Sequence, residues 1–335
     1  MITVLMPTYH SADFVSMAIE SILSQSYQDF ELLIIDDAST DRTSEICKKY
    51  TDKRIRFIQN PKNLGLIATL NIGINEARMP YIARLDGDDV ARKDRLSKQI
   101  KIITQHPKNV LCSSQTRVID TSGKIIGGGS WSFFPESIFV NLHFRNCLAH
   151  STVLFKKEAA LAVGGYPLHA LNAEDFALWH RLAQIGRVEF IPEPLVHWRT
   201  HPGSITSIHG QQMQRQSLSQ AIEHLTPYLS KEKALLLSQN LVAPALLDAS
   251  LAASMHQTFE EFKEALLKHL PPHYSHITTQ RYLKVEQAML DFIWKTPQHL
   301  MSKNIWAMGG FLYALRRSPN KIIKQIGRIL PKTHL

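Results

Sequence analysis

The first third of the chain alternates between two hydrophobic periods, and this alternation constrains the fold more than any other feature. Short apolar runs at 2–6, 31–35, 55–58, 81–85 and 110–113 have the length of buried strands. Between them, Phe14, Val15, Ala18, Ile19, Ile22 and Leu23 recur at helical spacing, as do apolar residues over 44–50, 66–77 and 95–105. Strands alternating with helices predict a parallel sheet covered on both faces. In such sheets a ligand sits beyond the carboxyl ends of the strands.

The polar residues cluster at those ends. Pro7-Thr8-Tyr9 follows the first run, Asp36-Asp37 the second, and Asp86-Gly87-Asp88-Asp89 the fourth. Carboxylates flanking a glycine can reach one hard cation from a tight turn, and Mg²⁺ or Mn²⁺ favours such oxygen ligands. The plain alternative is a solvated turn whose Asp caps a following helix. The same two readings are open for Asp36-Asp37: an acceptor for a base or ribose, or a cap assisted by Ser39, Thr40 and Asp41. Glu174-Asp175 precedes an amphipathic stretch. The pair either complements a helix dipole or supplies a general base. His201 follows a strand-like run and is a candidate metal ligand among 16 histidines.

The middle of the chain mixes patterns. Residues 121–124 read as a turn between short strands, 157–163 and 176–185 as helices, and 188–191 and 196–198 as two strands. After about residue 207 the composition shifts to Leu, Ala and Gln, with helices expected at 211–228, 231–256 and 259–269.

With 44% hydrophobic and 20% charged residues over 335 positions, the chain can bury a substantial core. Cys47, Cys112 and Cys147 are far apart and form neither a disulfide framework nor a zinc motif, which fits a reducing compartment. No basic region precedes a signal-type apolar stretch, so no secretory signal is expected. No apolar run reaches the roughly 20 residues that span a bilayer. The net charge of +9 is uneven: eight Lys and Arg and no Asp or Glu follow Asp291, leaving +1 for the rest. A nucleic-acid-binding surface over the whole protein is therefore not indicated. Within the tail, Ile322, Ile323, Ile326, Ile329 and Leu330 alternate with Lys321, Lys324 and Arg328, a pattern suited to an interfacial helix on an anionic membrane.

Five segments in order, 4–41, 60–89, 149–167, 173–186 and 198–206, resemble glycosyltransferase family 2, the inverting enzymes of the GT-A fold. The resemblance covers about residues 1–205. It implies an α/β GT-A nucleotide-diphospho-sugar transferase domain over 1–206, Rossmann-like with a mostly parallel sheet. Residues 207–335 then form a helical C-terminal region with a basic amphipathic tail. It also implies roles. Pro7, Thr8 and Tyr9 line the nucleotide site. Asp37 contacts the base, a uracil, with Asp36 beside it. Asp86 and Asp88 form the DxD element, Asp88 on the metal and Asp86 toward ribose and sugar. His201 completes the metal site. Asp175 is the catalytic base, with Glu174 the alternative.

The implied activity is transfer of one hexosyl or N-acetylhexosaminyl unit from a UDP-sugar to a glycan or lipid-linked acceptor, with Mn²⁺ or Mg²⁺ as cofactor. A cytoplasmic enzyme is expected, and the pattern of its tail leaves two readings open: peripheral contact with the membrane, or a helix packed on the catalytic domain. Two departures stand out: His10 where Asn is common, and Lys93 where Pro is common. A QxxRW element of processive synthases is lacking, which favours single-sugar transfer. The rivals are a nucleotidyltransferase and a non-catalytic glycan- or nucleic-acid-binding protein. The first would carry a Gly-rich basic loop where Met6-Pro7-Thr8-Tyr9-His10 stands, and the second would not need the acidic set.

Overall fold

The computed structural model describes residues 1–128, 135–242 and 249–274. Strands β1 (Ile2–Thr8), β2 (Phe30–Asp36), β3 (Ile55–Gln59) and β4 (Tyr81–Arg84) alternate with helices α1 (Val15–Leu23), α2 (Thr43–Lys48) and α3 (Leu66–Glu76). These four strands pair in parallel in the order β3-β2-β1-β4. The sheet then continues through β8 (Leu154–Lys156), β6 (Asn109–Ile119), β9 (Arg187–Arg199) and the two-residue β5 (Val90–Ala91), while β7 (Ile125–Gly127) pairs with β6 as a hairpin. Among the described residues, six strands share one direction and β5, β7 and β8 oppose it, so the sheet is mostly parallel, as expected.

Period-two alternation explains both layers. On one face Ile2, Val4 and Met6 of β1 and Leu32 and Ile34 of β2 pack against Val15, Ala18, Ile19 and Ile22 of α1, with α4 (Arg95–Thr104) alongside. Leu5, Leu33 and Ile35 point the other way, onto Ile67, Leu70 and Ile74 of α3. Gly73 is required there, because an added Cβ would overlap the Leu5 side chain.

The second face also carries α5 (Pro135–Asn141), α6 (Lys157–Ala162), α7 (Glu174–Ile185) and the C-terminal helices α8 (Ile205–Leu225), α9 (Lys231–Val242) and α10 (Ala249–Lys268). Phe139, Trp179, Leu225, Leu237 and Phe262 belong to one continuous core, so the helical region is packed onto the sheet layer.

Two expectations need correction. The strands expected at 188–191 and 196–198 are a single strand, β9, whose register against β6 shifts around Pro194. Pro192 and Pro194 have no N–H to give the ladder, and the strand bulges past them. The helices expected at 231–256 and 259–269 divide elsewhere: α9 spans Lys231–Val242, and a separate helix crosses the expected break after 256. Met255, Phe262 and Leu266 form one buried stripe along α10, which runs on to Lys268. No helix among the described residues is long and apolar enough to cross a membrane. The basic tail at 292–335 lies outside the described residues.

Candidate active site

The carboxyl ends of β1, β2 and β4 lie side by side, and the expected residues gather there. Pro7 and Thr8 are buried at the end of β1. Tyr9 is 47% exposed, with its ring stacked on His10 at 3.9 Å between centroids. His10 has φ +50°, and its N–H donates to Ser39 Oγ at 3.0 Å, which ties this loop to the one after β2.

Asp36 and Asp37 are both buried, and both carboxylates are fully engaged. Asp36 accepts from Ser39 Oγ at 2.6 Å, Ser39 N at 3.1 Å, Gln59 Nε2 at 3.2 Å and Thr8 Oγ1 at 3.3 Å. Asp37 accepts from Asn60 Nδ2 at 2.7 Å and from the backbone N–H groups of Leu64 and Gly65, each at 2.9 Å. Neither caps α2: its N-cap residue is Arg42, and the first helical N–H, that of Thr43, donates to Asp41 Oδ1 at 3.0 Å.

The turn at 86–89 is different. It leads into strand β5, so the helix-cap alternative does not hold for it. Carboxylate oxygens of Asp86, Asp88 and Asp89 lie within 4.8 Å of one another. A Cβ on Gly87 would meet Thr8 Cγ2 at 3.0 Å, so the turn sits tightly against the end of β1.

Asp86 pairs with the guanidinium of Arg84, which is 1% exposed. It also accepts from Ser151 Oγ at 3.0 Å, and Ser151 in turn accepts from Arg84 Nη1 at 2.8 Å. Asp88 Oδ2 meets His201 Nε2 at 3.0 Å. Asp89 Oδ1 accepts Arg199 N–H at 2.8 Å, while its Oδ2 is buried without a hydrogen-bond partner. Arg199 also donates from Nε to the Asp88 carbonyl at 2.8 Å, so the end of β9 holds the acidic turn.

Burial, and then the charge of Asp86, pushes the Asp88 carboxyl above the ordinary range against the opposing pull of His201. Burial and the charges of Asp88 and Asp86 push Asp89 well above it. Crowded carboxylates that resist ionisation are a site short of positive charge, and oxygen donors in this spacing fit a hard divalent cation. The unpartnered Asp89 oxygen fits the same reading.

Glu174 and Asp175 form the first turn of α7. Burial, then the neighbouring Asp175 charge, raises Glu174 to about 7. Asp175 is raised by burial and lowered by hydrogen bonds from the Phe176 backbone and from Asn146, whose Nδ2 lies 2.7 Å from Oδ2. The Arg84 charge favours ionisation of both. One buried arginine thus links the acidic turn to the carboxylate pair. Behind them, His150 Nε2 lies 2.8 Å from Tyr166 Oη, and burial keeps this imidazole well below its usual pKa, hence neutral.

Residues 3–160 match the model of "Glycosyl transferase family 2". The O-antigen biosynthesis glycosyltransferase WbnJ of Escherichia coli is 33% identical over 210 residues, covering 60% of this chain and 80% of WbnJ. The chain belongs to glycosyltransferase family 2. It is a glycosyltransferase, and it spans from 32% to 80% of the length of relatives that it matches.

The glycosyltransferase has the GT-A fold. Its structure is similar to S. aureus TarS 1–349 in complex with UDP-GlcNAc, with TM-score 0.55 and 16% identity, over 80% of this chain and 82% of that one. It is similar also to the mannosyltransferase PcManGT of Pyrobaculum calidifontis in complex with GDP-Man and Mn²⁺, with TM-score 0.55 and 19% identity, over 88% of each.

Sequence reasoning left Arg84, Ser151, Asn60 and Asn146 unassigned. Ser151 and Asn60 fall inside the family-like segments and Arg84 stands two residues before Asp86, so a signal existed. Asn146 lies outside those segments and had none.

Proposed function

We propose that this glycosyltransferase moves one sugar from a nucleoside-diphosphate donor, a UDP-sugar, to an acceptor hydroxyl by a single inverting displacement. The observation that carries the proposal is the pairing of two acidic groups across Arg84: the crowded turn Asp86-Asp88-Asp89 and the largely buried Asp175. Asp86 and Asp88, with His201 beside them, would hold Mn²⁺ or Mg²⁺, which when bound supplies positive charge against a diphosphate leaving group. Tyr9 offers an exposed ring for the nucleobase. Asp36 and Asp37 shape the loop around it. Asp175 takes the proton of the acceptor hydroxyl as that oxygen attacks the anomeric carbon. The bond from that carbon to the diphosphate oxygen breaks, and its electron pair leaves with the nucleoside diphosphate.

TarS with UDP-GlcNAc supports a uridine donor, and PcManGT with GDP-Man makes guanosine the alternative. The acceptor is a glycan or a lipid-linked glycan. With that acceptor, the basic tail supports a cytoplasmic enzyme resting on the membrane surface, a reading from sequence alone. The catalytic unit is taken to end near residue 206. The test is to incubate the full chain with UDP-glucose, UDP-GlcNAc and GDP-mannose, with and without Mn²⁺, and follow release of nucleoside diphosphate. Metal-dependent UDP release supports the proposal. Pyrophosphate from a sugar phosphate and UTP would identify a nucleotidyltransferase, and no turnover or binding of any donor would sink it.

A further inference from the structure

Glu174 and Asp175 are adjacent carboxylates on the first turn of one helix, and their chemistry alone does not select a base between them. Asn146, in the segment after α5, touches only one of them. Its Nδ2 donates to Asp175 Oδ2 at 2.7 Å. Its orientation is fixed, because Asn146 Oδ1 accepts the Leu148 N–H at 3.1 Å. A flipped amide would set oxygen against carboxylate and NH₂ against N–H, losing both bonds. Asp175 Oδ1 is fixed separately by the Phe176 N–H at 2.7 Å. Among the described residues, no side-chain donor reaches Glu174, which is 7% exposed.

We infer that Asn146 is a positioning residue that selects Asp175, over Glu174, as the ionised member of the pair and aims its free lone pairs at the acceptor side. The inference rests on the reading of Asp175 as the base. The other groups that face the pair do not discriminate. Arg84, from β4, favours the ionised form of both. Tyr166, from the segment after α6, is pushed up by burial and is neutral, and Asp86 opposes ionisation of Glu174. Among the described residues, the Asn146 amide is the one side-chain donor given to Asp175 alone, beside the Phe176 N–H of the helix backbone. Hydrogen bonding to the charged form of a carboxyl is what keeps it ionised against burial.

The test is a ¹³Cγ-aspartate NMR titration of the full chain, with the Asp175 resonance assigned by its loss in Asp175→Asn. Asn146→Leu removes the donor at similar volume, and Asn146→Asp sets a second carboxylate against the first. The Asp175 midpoint is expected to rise by about one pH unit in Asn146→Leu and further in Asn146→Asp. The acidic limb of Mn²⁺-dependent UDP-glucose hydrolysis should move with it, activity returning as pH rises, with KM for UDP-glucose unchanged. A titration midpoint equal to wild type in both folded variants overturns the inference. Wild-type hydrolysis by Asp175→Asn overturns the base reading and this inference with it. Lost hydrolysis in Asp175→Asn with an unmoved midpoint in the Asn146 variants overturns this inference alone.

Discussion

Two pairs of adjacent aspartates follow β2 and β4, the parallel strands on either side of β1, and the fold treats them in opposite ways. Asp36 and Asp37 receive seven hydrogen bonds between them, from loop backbone and from Ser39, Gln59, Thr8 and Asn60. Asp88 and Asp89 crowd against Asp86, and one Asp89 oxygen is buried with no partner. Similar sequence signals therefore do different work. The first pair builds the loop after β2, because its charge is already answered by the protein. The second is only partly answered, by His201 at Asp88 and the Arg199 N–H at Asp89, and such crowded buried carboxyls suit a cation.

The largest effect should come from the second group. Asp88→Asn is expected to lower Mn²⁺-dependent donor turnover by more than about 10³-fold while the fold survives. Circular dichroism and a nucleoside-diphosphate release assay check both halves, and near-wild-type turnover would break the contrast. Asp175→Asn should cost about 10²–10⁴-fold in transfer with donor affinity little changed. Should donor affinity collapse with activity, Asp175 belongs to the donor side.

Asp37→Ala should act mainly on stability. It leaves the Leu64 and Gly65 N–H groups and the Asn60 amide without their acceptor, a loss of about 3 kcal/mol in urea unfolding. Unchanged stability with lost UDP binding would show that Asp37 serves the ligand and not the loop.

A smaller and pH-dependent effect is expected at Glu174. Its carboxyl is raised from 4.5 to about 7 in the folded protein, so the folded state binds the extra proton between those values. Ionising it in place costs stability. The wild type is therefore relatively more stable below 4.5 and loses that advantage as pH rises through about 7. Glu174→Gln, which never ionises, should exceed wild type by on the order of 2 kcal/mol well above neutral pH and match it in acid. Thermal unfolding at both ends of the range reads the difference. A pH-independent difference would place Glu174 outside the carboxylate pair.

Much of this was legible in sequence, because the informative signals were local. Strand β1, helix α3 and the turn at 86–89 follow from apolar periods and from polar residues at the strand ends. The assignment of Asp36 and Asp37 between cap and ligand contact was not legible, because the partners of Asp37, Asn60, Leu64 and Gly65, come from beyond β3, and Asp36 is held by Thr8 of β1 and Gln59 of β3 as well as by Ser39. Strand β9 was broken in two by prolines that the fold absorbs as a bulge. Spacing alone made His201 no more than a candidate metal ligand; the family resemblance implied its place beside Asp88, which is 113 residues away in sequence. Asn146 carries no motif, and only the path of the segment after α5 brings it to Asp175.

The contrast between the two aspartate pairs can be tested most directly by Mn²⁺ titration followed by electron paramagnetic resonance. Wild type, Asp88→Asn and Asp37→Asn would each be titrated in the presence of UDP. The expected result is depletion of the free Mn²⁺ signal by wild type and by Asp37→Asn, and none beyond a UDP-only control by Asp88→Asn. Equal depletion by Asp88→Asn and wild type would contradict the assignment of the cation to the turn at 86–89.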